Sequence, residues 1–368
     1  MASIRDVAKE AGVSIATVSR VINGHETVAP HLRKQVLDAV TRCEYQPAVG
    51  LRSQTCVALI YTGVFTPGSP YDSACIDGMV EAMRTSPYDL TIVDIRRDKA
   101  DGETFRQYFS RKGICGAIVR STAAERTLVD RMASEGLPIV LLGDHYAGAP
   151  LPFVYADSSA ASRQAIEHLL SLGHTRIAFA ACEREDGDHR DRFEAYRTTL
   201  ESRGLMHPDL VGRIPPHRLD GEKLIRNLMG MPDRPTAVFI ADPLVAVGAI
   251  NEAHKMGVKI PEDLSIVGFD DTDIRSLIYP KMTSVCQDSR LLGQIAFERI
   301  VSLIDKATVN GKDSHGPGEK KVTPTTRTPG ASNPQTAWLE INESTAPPPE
   351  VAYHVLPNRT RVPSGRRA

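Results

Sequence analysis

Residues 4–24 read IRDVAKEAGVSIATVSRVING and predict two short helices joined by a tight turn. Apolar residues recur at helical spacing through Ile4–Ala11. Ser3 and Asp6 suit a capping box in which Asp replaces the usual Glu or Gln. Gly12 then stops the first helix, because glycine readily adopts the left-handed backbone found at helix ends. This order of signals predicts a helix-turn-helix.

The second of these helices has a polar outer face that suits the major groove of DNA. Arg20 can donate two hydrogen bonds to one guanine, a contact that discriminates between bases by about 1–3 kcal/mol. Ile15 and Ala16 offer apolar contact, for example to a thymine methyl group. Other side chains along the helix can donate to phosphates, which position a protein without reading sequence. These are Ser14, Thr17, Ser19 and Asn23.

Composition neither demands nor excludes DNA binding. The formal net charge of the 368 residues is −1, and residues 1–53 carry seven basic and five acidic side chains. On charge alone, a small helical bundle without a partner is an alternative. The ordered motif favours a DNA-binding unit over that alternative.

Six cysteines are scattered through the chain without metal-ligand spacing, which is typical of a reducing compartment. The first residues lack the apolar core of a signal peptide, and no apolar run is long enough to span a bilayer. We therefore expect a cytoplasmic, nucleoid-associated protein with no cofactor, no metal and no membrane partner.

From Val57 onward, apolar strand candidates alternate with helix-like segments, which predicts parallel sheets covered by helices. Two such units suggest two α/β subdomains with a ligand cleft at the carboxyl ends of their strands. The strand candidates are residues 57–61, 90–95, 116–119, 138–143, 176–181, 236–241 and 264–269. The helix candidates are residues 125–135, 160–172, 191–203, 244–256 and 291–304.

Four segments together resemble the LacI/GalR family of bacterial repressors. They are IRDVAKEAGVSIATVSRVINGHETVAP (4–30) with the following Tyr45-Gln46-Pro47, EHLLSLGHTRIAF (167–179), NEAHKMGVKIPEDLSIVGFDD (251–271) and PKMTSVCQD (280–288). The resemblance spans most of residues 3–305. It implies a homodimer on a near-palindromic double-stranded DNA operator, an effector domain like type I periplasmic binding proteins, and control of DNA affinity by a small molecule.

The fold class expected is an N-terminal all-α helix-turn-helix domain followed by an α/β effector domain of two doubly wound parallel-sheet subdomains. The expected boundaries are 1–47 for the DNA-binding domain, 48–56 for a shortened hinge, 57–156 and 286–306 for the effector N-subdomain, 157–285 and 352–364 for the C-subdomain, and 307–351 for a disordered insertion. The insertion is inferred from its Pro, Gly, Ser, Thr and Lys content. Residues 355–364 resemble the family's final strand, and disorder of everything after residue 306 is the alternative.

The hinge departs from the family pattern. Members of the family carry a short helix after the Tyr-x-Pro motif, and this helix wedges a leucine into the minor groove. Here three residues separate Pro47 from Leu51, which leaves about one helical turn, ~5–6 Å. Leu51 is either such a wedge or a plain linker residue. The alternative function is therefore a ligand-binding protein of the same fold with weak or lost operator recognition.

The resemblance also implies an effector site. Its positions correspond to Arg192, Asp242 and Asp270, with Gln287 at the crossover back to the first subdomain. Ser69 and Tyr71, in the loop after the first strand, can contact a ligand from the other wall.

Carboxylates accept hydrogen bonds from hydroxyls and Arg donates in a fork, so this set suits a polyol such as a sugar better than a phosphate. For Arg192 and Asp242, a salt bridge between subdomains is the alternative. The residues 217–220 lack the aromatic side chain that many sugar sites use.

An enzyme is the rival class. Asp144-His145 and Asp186-Gly187-Asp188-His189 carry groups used in acid–base or metal chemistry. No nucleophile elbow, zinc-protease motif, phosphate loop or dinucleotide fingerprint accompanies them. We therefore predict no catalytic residues and no enzymatic activity.

Overall fold

The structure is a computed structural model. It describes residues 3–22, 28–43, 45, 55–63, 67–146, 148–149, 151–183, 185–312 and 334–350. A helical unit comes first and two parallel-sheet lobes follow, so the predicted fold class is confirmed.

The helical unit contains α1 (Ile4–Glu10), α2 (Ile15–Ile22) and α3 (Pro30–Arg42). The predicted capping box is present: the Ser3 hydroxyl accepts from the Asp6 N–H, and the Asp6 carboxylate accepts from the Ser3 N–H at 2.7 Å. Gly12 has a φ of 59°, the left-handed turn expected of it. The three helices share a small core. Its buried residues are Val7, Ala8, Ala11, Val18, Val21, Val36, Ala39 and Val40.

The first lobe is built on a parallel sheet of order β2-β1-β3-β4-β5. Along the chain, its elements are β1 (Cys56–Tyr61), α4 (Pro70–Met83), β2 (Asp89–Asp94), α5 (Ile95–Asp98), α6 (Phe105–Lys112), β3 (Ile114–Arg120), α7 (Arg126–Ser134), β4 (Ile139–Leu142) and β5 (Phe153–Val154). The central strands β1, β3 and β4 are almost wholly buried, as expected for a parallel sheet with helices on both faces.

The second lobe follows the short strand β6 (Ala156–Asp157). Its elements are α8 (Ser159–Ser171), β7 (Ile177–Cys182), α9 (Gly187–Glu201), β8 (Val211–Ile214), α10 (Arg218–Met229), β9 (Ala237–Ile240), α11 (Pro243–Met256), β10 (Ser265–Asp270) and β11 (Thr283–Cys286). Strands β11, β10, β9, β7 and β8 lie side by side in that order and in parallel.

Helix α12 (Ser289–Lys312) leaves the second lobe and completes the first. Its apolar face is buried against β1, β3, β4 and α4, with Leu292, Phe297 and Ile300 each no more than 1% exposed. The first lobe therefore consists of two separate stretches of chain.

Residues 334–350 differ from the predicted disordered insertion. Strand β12 (Gln335–Thr336) pairs with β6, and β13 (Trp338–Glu340) pairs antiparallel with β11 at the edge of the second sheet. The Ser344 hydroxyl accepts from the Thr283 N–H at 2.8 Å and donates to the Ile266 carbonyl. These partners are distant in sequence, so composition alone did not reveal the order of this segment. The expected final strand at 355–364, and residues 48–54 of the expected hinge, lie outside the described residues.

Among the helices of the described ranges, none is long and apolar enough to cross a membrane.

Candidate functional site

Helix α2 presents a solvent-exposed surface on the helical unit. The residues exposed on it are Ser14, Ile15, Ala16 and Arg20, while Thr17 and Ser19 are partly buried. The Ser14 hydroxyl accepts from the Thr17 N–H at 3.1 Å, so Ser14 caps the helix. The structure thus brings six predicted DNA-contacting residues to one helix, and the other two, Asn23 and Leu51, lie outside the described residues.

A cavity of about 130 Å³ lies between the two lobes, at the carboxyl ends of their strands. Since about 10–15 Å³ of such space holds one water, it can hold a small polar molecule. The first lobe contributes Ser69, Tyr71, Asp72, Arg120 and Thr122. The second contributes Cys182, Asp186, Asp188, His189, Arg192, Pro216, His217, Ala241, Asp242, Pro243, Leu244 and Asp271.

Ser69 and Tyr71 both line the cavity. Ser69 is the N-cap of α4 and accepts from the Asp72 N–H at 3.1 Å. The Tyr71 ring lies 4.5 Å from the Arg120 guanidinium, and its hydroxyl is buried without a hydrogen-bond partner. Burial raises the pKa of that hydroxyl well above its usual value, so Tyr71 is a neutral donor and acceptor.

Arg192 and Asp242 also line the cavity, both from the second lobe. Arg192 donates to the Ala241 carbonyl at 3.0 Å and stacks 3.4 Å from the centre of the Phe269 ring, and its Nε has no partner. Asp242 caps α11 by accepting from the Val245 N–H at 2.9 Å. Both residues belong to one lobe, so the alternative of a salt bridge between subdomains does not apply to them.

Asp270 does not line the cavity, and this corrects the expectation drawn from the family resemblance. Its carboxylate is buried, bonds to Arg275 at 2.7 Å and accepts three backbone N–H groups of the following turn. Asp271 lines the cavity instead. The physical reason is that Asp270 ends β10, and successive side chains at a strand end point to opposite sides.

Gln287 is likewise absent from the cavity wall. Its amide Nε2 donates to Asp271 Oδ1 at 2.5 Å, and the Ser289 hydroxyl donates to the same oxygen at 3.1 Å. Burial raises the pKa of Asp271. Gln287 therefore positions the Asp271 carboxylate without itself lining the cavity.

Two ion pairs in the cavity wall were not predicted from sequence. Arg120 lies 3.0 Å from Asp72 across the first lobe. His189 lies 2.7 Å from Asp186 at the start of α9. Burial disfavours charge on both members of the second pair, but their mutual attraction raises the pKa of His189 well above its usual value and lowers that of Asp186.

A third unpredicted group joins the lobes beside the cavity. His145 of the first lobe lies 3.5 Å from Asp188 and 3.0 Å from Asp191 of the second. Burial opposes the imidazolium, yet the contacts with the Asp188 and Asp191 carboxylates raise the pKa of His145 to about 9. Burial raises the pKa of Asp188 to about 6.

The start of α9 packs directly on the first lobe. Arg190 donates to the His145 carbonyl at 3.0 Å, and a Cβ on Gly187 would lie only 2.5 Å from that carbonyl oxygen. Glycine is therefore required where the lobes meet.

The sequence did contain a signal for this segment. The predicted helix begins at residue 191, whereas Asp186 is the N-cap of α9 and accepts from the His189 N–H at 2.9 Å. An Asp before a helical pattern is a start signal, and it would have extended the predicted helix back to the cavity.

Within the described ranges, no cluster of His, Cys, Asp or Glu side chains is arranged to hold a metal ion.

Comparison with known proteins assigns both parts of the chain. Residues 3–48 match the profile "Bacterial regulatory proteins, lacI family", and residues 166–332 match "Periplasmic binding protein-like domain". Catabolite control protein A of Priestia megaterium is 28% identical over 312 residues, which cover 84% of this chain and 94% of that protein. The ribose operon repressor of Halalkalibacterium halodurans is 28% identical over 339 residues, covering 92% and 100%.

Solved structures agree with this fold over both lobes. The transcriptional regulator CelR in complex with cellobiose superposes with a TM-score of 0.63 at 26% identity, covering 94% of this chain and all of that one. The Lac repressor dimer bound to operator and an anti-inducer superposes with a TM-score of 0.61 at 21% identity, covering 94% and 99%.

The curated relatives are transcriptional regulators and not enzymes, in agreement with the prediction that this chain has no catalytic activity. Since both profiles match and the relatives align over nearly their whole lengths, the chain combines a lacI-family DNA-binding domain with a periplasmic binding protein-like domain, as its transcription-regulator relatives do.

Proposed function

We propose that this protein is a homodimeric repressor of a near-palindromic operator, and that a small carbohydrate in the cavity sets its affinity for that operator. The observation that supports the ligand most strongly is a set of buried polar atoms that line the cavity. The Tyr71 hydroxyl and Arg192 Nε are buried without a hydrogen-bond partner in the protein, and the buried Asp188 Oδ1 has only a long 3.5 Å contact with His145.

Leaving such atoms unpaired is unfavourable, so a ligand that pairs them gains affinity. The three atoms require different partners: the carboxylate needs a donor, the guanidinium needs an acceptor, and the phenol takes either. A hydroxyl group serves all three roles. A molecule that carries several hydroxyl groups therefore suits this wall, with Ser69, Asp242 and Asp271 completing it.

Two relatives support the carbohydrate class. One is solved as a complex with cellobiose, and another is named as the repressor of a ribose operon.

For the DNA partner, the support is the exposed face of α2. Ile15 is exposed at the capped N-terminus of the helix, where base edges are contacted in helix-turn-helix complexes, and Arg20 is exposed in its last turn. The shared hydrophobic core holds α2 against α1 and α3.

For the homodimer, the support is exposed apolar surface on both lobes. Leu277 and Tyr279 are 79% and 80% exposed on the second lobe, and Ile92 is 51% exposed on edge strand β2 of the first. Large apolar side chains grouped on a surface are typical of protein–protein contacts. A two-fold symmetric pair carries two copies of α2, as a two-fold symmetric site requires.

The test is selection of bound fragments from the organism's own genome by purified full-length protein at about physiological salt, where non-specific phosphate contacts are weak. A recovered near-palindrome that a simple sugar releases supports the proposal. Binding that is salt-sensitive and blind to sequence, with sugar binding retained, would instead favour the ligand-binding protein with lost operator recognition.

A further inference from the structure

The charges that line the cavity do not balance. Five carboxylates face it, those of Asp72, Asp186, Asp188, Asp242 and Asp271, against three cations, those of Arg120, His189 and Arg192. Two cations are committed to two of the carboxylates, Arg120 to Asp72 at 3.0 Å and His189 to Asp186 at 2.7 Å. Three carboxylates and one guanidinium remain.

The remaining guanidinium pairs with none of these carboxylates at salt-bridge distance. Arg192 bonds to the Ala241 carbonyl and stacks on Phe269. The carboxylates of Asp188, Asp242 and Asp271 feel its charge, but within the described residues no ion pair includes it. Burial raises the pKa of all three carboxyl groups, which shows that their negative charge is incompletely compensated.

Asp188 shares its nearest cation with another carboxylate. It is 2% exposed, and within the described residues its Oδ1 has no hydrogen-bond partner nearer than 3.5 Å. Its nearest cation is the His145 imidazolium at 3.5 Å, which also contacts Asp191 at 3.0 Å. One cation is thus shared by two carboxylates beside the cavity.

A neighbouring cavity adds to the negative charge. It shares Thr122 with the first and is lined by Glu125, Glu183 and Glu185, with Arg96 as its cation. Arg96 is bound to Glu125 at 3.0 Å. Arg213 is bound to Glu185 at 3.0 Å, so within the described residues Glu183 is the carboxylate of this second cavity that has no ion pair.

We propose that the effector is an amino sugar, whose ammonium group binds at Asp188 while its hydroxyl groups pair with Tyr71 and Arg192. This inference rests on the proposed function, because it assumes a carbohydrate in the cavity. An ammonium donates three hydrogen bonds and carries the charge that the wall lacks. A neutral sugar satisfies the same hydrogen bonds but leaves the charge uncompensated, and a sugar phosphate increases the imbalance.

The test is calorimetric titration of the full-length protein at about pH 7, where Asp188 and the amine are both largely ionised. The probes are glucosamine, galactosamine and mannosamine, each beside its parent hexose, its N-acetyl derivative and the hexose 6-phosphate. The N-acetyl derivative keeps the shape around the nitrogen and removes its charge. We expect one amine to bind about tenfold or more tightly than its three counterparts, as a hydrogen bond to a charged group contributes.

Asp188→Asn should remove most of this preference, while Asp209→Asn, a carboxylate 62% exposed on the same lobe, should keep it. A parent hexose, N-acetyl sugar or sugar phosphate that binds as tightly as the amine overturns the inference and leaves the carbohydrate proposal standing. Retention of the preference by Asp188→Asn also overturns the role of Asp188. Binding by none of the sugars overturns both proposals.

Discussion

The N–H of Gly187 donates a hydrogen bond of 2.9 Å to Asp144 Oδ1, and this bond joins the first residue of α9 to the loop after β4. The Asp144 carboxylate is fully buried and also binds Arg126 at 2.7 Å. Because the two residues belong to different lobes, their hydrogen bond forms when the lobes close over the cavity. The arrangement with the two lobes closed therefore depends on residues that lie beside the cavity wall.

Gly187→Ala should disfavour closure. The added Cβ would lie 2.5–2.6 Å from the backbone N and O of His145, so the lobes must separate or the start of α9 must shift. We expect small-angle scattering to show a larger radius of gyration, and sugar affinity to fall by about tenfold or more, since overpacking costs roughly 1–3 kcal/mol. Gly212→Ala is the matched control, because its Cβ makes only ordinary contact with Ile214. Equal scattering profiles for both variants would contradict the prediction.

His145 should make the contact between the lobes sensitive to alkaline pH. Burial opposes its charge, but Asp188 and Asp191 raise the folded-state pKa to about 9, above the unfolded value of about 6.5. Its contribution to the free energy of unfolding is therefore complete below about pH 6.5 and is lost as pH rises through about 9. Thermal unfolding of wild type and His145→Gln from about pH 6 to 10 measures this difference. His31→Gln, at an exposed histidine, is the control. If the melting temperature of His145→Gln changes with pH in parallel with that of wild type, His145 is not the group responsible.

Substitution of Asp270 should lower the stability of the protein, whereas substitution of Asp271 should lower its affinity for the ligand. Asp270→Ala removes one of three carboxylate partners of the partly buried Arg275, which keeps Asp273 and Glu340, and it leaves three backbone N–H groups without their acceptor. The free energy of unfolding should therefore fall by roughly 1–3 kcal/mol. Asp271→Asn removes a buried charge that lines the cavity, so sugar affinity should fall while stability changes by less than about 1 kcal/mol. Urea unfolding and calorimetric titration of both variants provide the measurement. The reverse pattern would restore Asp270 to the site.

His174 should make the 334–350 segment sensitive to acid. Its Nδ1 lies 2.8 Å from the Thr236 hydroxyl, and its Nε2 lies 2.9 Å from the Ala346 carbonyl. Burial lowers the pKa of His174, so the unfolded state binds a proton more readily than the folded state. Its stabilising contribution is present above about pH 6.5 and is lost as pH falls.

Hydrogen exchange should therefore show protection of residues 334–350 falling between about pH 7 and 5.5. His174→Gln should lower the free energy of unfolding by about 1–3 kcal/mol at neutral pH, because buried groups lose their partners. The exposed His254→Gln should behave as wild type. Equal protection of residues 334–350 in the wild type at both ends of this pH range would contradict the prediction.

Arg20→Ala should abolish preference for the selected operator. If Arg20 bonds to a guanine, its loss costs about 1–3 kcal/mol at that base pair and relaxes selection there. Arg84→Ala, which removes another exposed cation, on the first lobe, should leave the preference intact. Fragment selection with each variant is the measurement, and an unchanged site for Arg20→Ala would remove α2 from the interface.

Local signals predicted much of the fold. The capping box of Ser3 and Asp6 and the turn at Gly12 involve residues within a few positions of each other, so the sequence displays them fully. Residues 334–350 were mispredicted because their order comes from distant partners such as His174 and Thr283.

Part of the cavity was predictable from the family resemblance and part was not. Arg192 and Asp242 lie in the wall as expected. The choice between Asp270 and Asp271 depends on where β10 ends, and a shift of one residue exchanges the two side chains. His145 was missed because its partners lie on another lobe, which no local pattern records.

The return of α12 to the first lobe has a consequence for protein synthesis. A chain still on the ribosome cannot bury the apolar faces of β1 and α4 until residues near Phe297 have emerged. The edge strand β11 then stays unpaired on one side until Trp338–Glu340 has also emerged. Nascent chains therefore expose apolar surface until residues 338–340 have left the ribosome. A premature stop codon before α12 would yield an insoluble product rather than a free DNA-binding fragment with one working lobe.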